Sequence, residues 1–175
     1  MLLIDFFETT PISSLVPVNS VRPDRVVFLI DGSHLDSLAA KHMRKAIEGL
    51  GCVKEFAYKP VNIRNINSIR SCLEGVVSRS REGEDVYIDL TGGSELMVAA
   101  GYSVSRETKA EAIYADLDQG KIIRADDTEA VCNVRHISSR DYLVSIGAKQ
   151  LGKSHTDPDP EEEERICAMA EILFD

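Results

Sequence analysis

The run Asp89-Leu90-Thr91-Gly92-Gly93-Ser94-Glu95-Leu96-Met97 puts two hydroxyls, two glycines and a helix start within nine residues. An apolar stretch, residues 85–90, leads into it. After it, Leu96, Met97, Ala99, Ala100 and Val104 recur at helical spacing. The pattern predicts a strand, a tight glycine turn and a helix N-terminus. The first N–H groups of a helix lack partners inside it, and the helix dipole makes that end positive. Such a corner can hold a phosphate or another anion, and Thr91 and Ser94 would add hydroxyl donors. Spacing alone leaves a plainer reading equally open. The glycines equally fit a turn that needs only positive φ, and short glycine motifs often occur without a ligand. A second polar corner, Asp31-Gly32-Ser33, follows the apolar run at residues 25–30.

Other chemistries find less support. The dinucleotide fingerprint GxGxxG and the phosphate loop GxxxxGK[ST] are both absent. His34 and His42 lie eight residues apart with no third ligand nearby, and His136 and His155 are isolated, so no metal site is expected. Cys52, Cys72, Cys132 and Cys167 form no CxxC pair and read as buried free thiols of a reducing cytoplasm. Asp116 and Asp118 precede a hairpin, where acids are ordinary turn formers. Ser33 and Ser94 have no evident His or Lys base beside them, so no catalytic residue and no cofactor is expected.

The chain has 175 residues and a net charge of −9, with much of the acid in residues 157–164. That balance argues against direct duplex binding, which needs a basic face. No run approaches the ~20 apolar residues of a membrane span, and the start has no basic segment typical of a signal peptide. A cytoplasmic protein without membrane contact is expected.

Several elements must position the two corners. Residues 2–7, 25–30, 52–58, 85–90 and 111–115 read as strands; residues 35–50, a segment from Asn62 to about Val76, and residues 95 to about 107 read as helices. Residues 10–18 suggest a single helical turn, and Lys59-Pro60 a break. Asp118-Gln119-Gly120 predicts a hairpin into residues 121–124, residues 131–137 a further extended piece, and residues 141–146 a short helix. Alternating strands and helices predict an α/β fold, a Rossmann-like or flavodoxin-like, mostly parallel sheet covered on both faces, with a C-terminal hairpin. If the strands at 25–30 and 85–90 are neighbours, their two corners flank the crevice where open α/β sheets bind ligands. Residues 151–160 read as a linker and residues 161–175 as a tethered helix, which either packs back on the domain or starts a truncated effector domain.

Taken in order, the chain resembles the CARF (CRISPR-associated Rossmann fold) domain, of the type that precedes a restriction-endonuclease-like domain in CRISPR ancillary nucleases. The likeness rests on Asp31-Gly32-Ser33, the D-L-T-G-G-S-x-L-M corner, Tyr114-Ala115-Asp116 before a hairpin, and Ser138-Ser139-Arg140-Asp141-Tyr142-Leu143 leading to Gly147-Ala148. It covers residues 1–148, within an expected domain of residues 1–150. The resemblance implies a homodimeric sensor of cyclic oligoadenylate, cyclic tetra-adenylate in particular, in type III CRISPR antiviral defence. By motif position, Asp31, Gly32, Ser33, Thr91, Gly92, Gly93, Ser94, Glu95 and Met97 would line the ligand. The family commonly has Lys where this chain has Glu95, which leaves open weaker binding, another ring size or a lost ligand. The resemblance further implies a non-catalytic chain whose nuclease domain lies outside it. A ring nuclease that cleaves its own ligand, and an unrelated nucleotide-binding flavodoxin-like enzyme, are the alternatives.

Overall fold

A computed structural model describes residues 1–148. Strand β1 (Leu2–Phe6) is buried at all five positions, and β2 (Arg25–Asp31) at its five central ones. Both sides of these strands need cover, which explains their unbroken apolar sequence. Strands β3 (Glu55–Val61), β4 (Val86–Asp89), β5 (Glu111–Asp116), β6 (Lys121–Arg124) and β7 (Ala130–Asn133) complete one sheet in the order β3-β2-β1-β4-β5-β6-β7. The pairs from β3 to β5 are parallel, and β6 and β7 add antiparallel. The α/β Rossmann-like class with its terminal hairpin is therefore as expected.

Strand alternation divides the core in two. Leu2, Ile4, Phe6, Val86 and Ile88 face α3 (Ile66–Val77) and α4 (Glu95–Glu107). Leu3, Phe7, Phe28 and Ile113 face α1 (Ile12–Val21) and α2 (Leu38–Gly49). Helix α5 (Ser139–Ser145), capped by Ser138, packs outside α2. At the N-terminal edge of the sheet, Arg25 bridges Glu84 at 2.6 Å and Glu55 at 3.0 Å, fastening β2 to its neighbouring segments far from the two glycine corners.

The strand order departs from the neighbour relation the sequence suggested. Strand β1 lies between β2 and β4, giving the order 3-2-1-4-5 rather than a flavodoxin order. Other differences have local causes. Helix α1 spans ten residues with Pro17 inside it; Ser14, Leu15, Val16, Pro17 and Val18 are all buried, so no periodic stripe marked it. Pro60 lies within β3 rather than ending it. An edge strand tolerates proline because one side of its ladder carries no partner. Ser37 caps α2 and Asn65 caps α3, each a few residues later than the pattern suggested. Cys52, Cys72 and Cys132 are free but half-buried rather than fully enclosed. Cys167, the linker and the tethered helix lie outside the described residues.

Helix α4 approaches β4 closely at Gly101. A Cβ there would stand 2.8 Å from Leu90 Cδ2 and 3.1 Å from Ile88 Cγ2. Overpacking of this kind costs about 1–3 kcal/mol. Gly101→Leu should therefore lower the urea midpoint at unchanged m-value; an unaltered midpoint would show that α4 can shift freely.

Candidate anion-binding site

Helix α1 follows β1 on one face of the sheet and α4 follows β4 on the other. The chain therefore leaves these adjacent strands toward opposite faces, which makes this the topological switch point at which open α/β sheets bind ligands. It is flanked by residues 7–11 after β1 and residues 90–94 after β4. The Asp31-Gly32-Ser33 corner stands one strand further out.

The β4 corner is braced from below. Asp89, fully buried, accepts hydrogen bonds at one oxygen from Thr91 N–H (3.0 Å) and from the Thr91 hydroxyl (2.6 Å). That hydroxyl in turn accepts from Ala115 N–H at 2.8 Å, so it ties β4 to β5. Thr91 thus acts as a brace, with its oxygen already engaged on both sides. Gly93 has φ +96°, the left-handed region that favours glycine. Ser94 caps α4 by accepting from Met97 N–H at 3.4 Å and keeps its hydroxyl proton for another partner. Met97 is 3% exposed and packs with the core beneath Gly93, so it supports the corner from inside.

Among the described residues, the N–H groups of Gly92, Gly93, Ser94, Glu95 and Leu96 have no hydrogen-bond partner in the protein. They form one consecutive run at the positive end of a thirteen-residue helix. Ser94 and Glu95 are exposed and Gly93 is partly so, and the run lies at the switch point. This arrangement can accept an anion.

The outer corner is a tight Asx turn. One oxygen of Asp31 accepts from Ser33 N–H (2.9 Å) and the Ser33 hydroxyl (2.5 Å), and these bonds hold its carboxyl below the usual range. Gly32 and Ser33 are exposed. A Cβ at Gly32 would meet nothing within 4 Å, and its φ lies outside the left-handed region. The fold itself therefore does not require glycine at this position.

Sequence reasoning missed the loop after β1. Its Glu8 carboxylate accepts from the Ser13 hydroxyl at 3.0 Å, and a Cβ on Gly92 would stand 3.0 Å from both Glu8 Oε2 and Ser13 Oγ. The corner and the β1 loop are thus in contact, and Gly92 is small because Glu8 and Ser13 sit against it. Beneath them lies Asp5, 1% exposed, beside Asp89. Burial, followed by the Asp89 charge, raises the Asp5 carboxyl well above its ordinary value; burial likewise pushes Asp89 up to about 7. The available signal was Asp5 itself, an acid inside an otherwise apolar strand and followed by Glu8-Thr9-Thr10.

No group of three or more His, Cys, Asp or Glu among the described residues is placed to hold a metal ion. No described helix is long and apolar enough to cross a membrane.

The architecture matches solved structures. Can2 from Sulfobacillus thermosulfidooxidans, solved in complex with cyclic tetra-adenylate, superposes with a TM-score of 0.70 at 18% identity, over 82% of this chain and 40% of Can2. A type III CRISPR defence DNA nuclease activated by cyclic oligoadenylate superposes at 0.64 and 20% identity, over 99% of this chain and 27% of the nuclease. This chain has the CARF fold. The protein VC1899 from Vibrio cholerae superposes on this CARF fold at 0.67 and 15% identity, over 82% of this chain and 38% of that protein. The chain thus spans well under half the length of these three proteins. No family model and no curated protein sequence matches the chain.

Proposed function

We propose that this CARF-fold chain is a regulatory domain that binds cyclic oligoadenylate, cyclic tetra-adenylate first among the rings, across a homodimer. The observation that carries the reading is the run of five unpartnered N–H groups at residues 92–96, at the topological switch point of the sheet. Solved structures of the same fold, one in complex with cyclic tetra-adenylate and one activated by cyclic oligoadenylate, support the ligand class.

In this reading the backbone of residues 92–96 and the Ser94 hydroxyl contact phosphate. The exposed Asp31-Gly32-Ser33 turn faces the outer part of the ring. Thr91 and Met97 hold the corner in shape, and Glu95 stands at its rim. A two-fold axis lets each subunit present the same loops to a ring larger than one crevice. Catalysis by an attached effector is left to another domain.

A thermal-shift panel of cyclic tri-, tetra- and hexa-adenylate, ATP, flavin and NAD tests the proposal. A ligand at one hundred times its Kd adds about 2.7 kcal/mol, or roughly 5–10 °C for a domain of this size. We expect that shift with a cyclic oligoadenylate alone, together with a dimeric mass by light scattering. A shift confined to flavin or NAD would replace the reading with a metabolite enzyme. Chromatography of the recovered ring separates a sensor from a ring nuclease.

Gly32 supplies a clean variant because its side has open space. Gly32→Ala should leave stability within about 0.5 kcal/mol. If ligand packs on this turn, affinity should fall at least several-fold by titration calorimetry. Unchanged affinity would remove the Asp31 corner from the site.

A further inference from the structure

The buried acids under the corner have a chemistry the ligand reading does not use. Strands β1 and β4 run parallel with Leu3 beside Tyr87 and Ile4 beside Ile88. The next pair in register is Asp5 beside Asp89, both pointing to the face that α1 covers. Asp5 is 1% exposed and Asp89 fully buried. One oxygen of Asp5 accepts from Phe6 N–H at 2.6 Å, and one oxygen of Asp89 serves Thr91. The second oxygen of each acid, Oδ2, is buried with no hydrogen-bond partner. Ser14 Oγ acts on Asp5 from α1, yet it too lacks a bond of good geometry.

Among the described residues, no cation offsets the two carboxylates. Helix α1, residues 12–21, has no ionisable side chain. Phe28 flanks Asp5 on β2, and Ile113 flanks Asp89 on β5. Apart from Asp89, the other ionisable group acting on Asp5 is Glu8, which is also an acid. Two ionised carboxylates in this place would be desolvated and would repel each other. A single proton resolves both problems, since it removes one charge and supplies the donor that two orphaned oxygens need.

We propose that Asp5 and Asp89 share one proton at neutral pH, in an acid–carboxylate hydrogen bond between their Oδ2 atoms that ties β1 to β4 beneath the Thr91 turn. The bond makes Asp5 a positioning residue for the corner, acting through Asp89 and Thr91.

The sign of the pH effect follows from linkage. In the unfolded chain both aspartates lose their protons near pH 4. The folded pair keeps one proton, so from about pH 4 upward the folded state binds more protons than the unfolded state. This contribution to stability is full at low pH and is lost as pH rises toward the folded value, at about tenfold in the folding equilibrium per pH unit. Burial, followed by the Asp89 charge, raises Asp5 well above its ordinary value, so the window extends through neutral pH.

The experiment compares denaturant unfolding of wild type and Asp5→Asn from pH 5 to 8. Asparagine's amide donates to Asp89 permanently and does not titrate. The ratio of the two folding equilibria should shift toward the variant by about tenfold per unit from pH 5 through neutral pH. Parallel curves would overturn the proposal. Infrared spectra of wild type carrying carboxyl-labelled aspartate keep it testable if the variant does not fold. A labelled protonated-carboxyl band at pH 6, where exposed aspartates are ionised, is expected, and its absence refutes the shared proton. Loss of that band on adding magnesium, with a gain in stability, would assign the pair to a cation instead.

Discussion

Replacing Glu95 with lysine should tighten cyclic tetra-adenylate binding by roughly five- to thirtyfold. Glu95 is the first residue of α4 and is exposed at the rim of the unpartnered N–H run. Its charge opposes any phosphate held there. At about 8 Å and an effective dielectric near 20, one unit charge is worth about 2 kcal/mol. Exposure and salt reduce this strongly, since the screening length is about 8 Å at physiological ionic strength. Reversing the charge counts twice, which leaves roughly 1–2 kcal/mol. The variant loses a favourable acid at the positive helix end, a cost of about 0.3–1 kcal/mol. Calorimetry should show the gain shrinking as salt is raised. An affinity that does not change at any salt concentration would place Glu95 away from the phosphates.

In the proposed function the backbone of this corner does the binding, and its surroundings give the reason. Glu8 lies against Gly92 from the neighbouring loop, and the Asp5–Asp89 pair lies beneath. With acids on three sides, side chains at this corner supply little positive charge. The N–H run and the dipole of α4 remain as the attractive terms. A proton on the buried pair lowers the negative charge under the anion by one unit, so the brace and the binding surface are electrostatically consistent.

The sequence revealed elements whose two faces differ or whose faces are both buried. The apolar run ending at Ile30, the strand before Thr91, the α4 stripe and the hairpin at Gly120 all stand where their patterns put them. Helix α1 was not legible because burial around much of its circumference removes periodicity, and Pro17 argues against a helix. Strand order was not legible because alternation tells which face a residue takes, not which strand lies beside it. That gap hid the site's second wall. The Gly turn after β4 was found from its glycines and hydroxyls, whereas the loop after β1 carries no glycine and was passed over. Asp5 was its one chemical mark, and the meaning of that residue emerges only when β1 is placed beside β4.

Gly93→Val should damage the fold as well as any binding, contrary to a purely ligand-contact role for this glycine. The residue has φ +96°, and its Cβ would stand 3.1 Å from Phe6 Cβ and 3.2 Å from Met97 Cβ. Phe6 is fully buried and Met97 nearly so, so neither neighbour has room to yield. A β-branched side chain in left-handed backbone costs about 1–3 kcal/mol, and core overpacking about 1–3 more. A total near 3 kcal/mol corresponds to a fall in Tm of roughly 6–12 °C. Gly92→Ala separates the two effects, because Gly92 has no left-handed φ and its contacts are Glu8 and Ser13 on the crevice wall. It should displace that wall and weaken ligand binding while Tm falls by no more than a few degrees. Calorimetric scans of both variants decide the point. Equal Tm losses would make the whole glycine turn structural, and a Gly93→Val protein with wild-type Tm would return that residue to the binding surface.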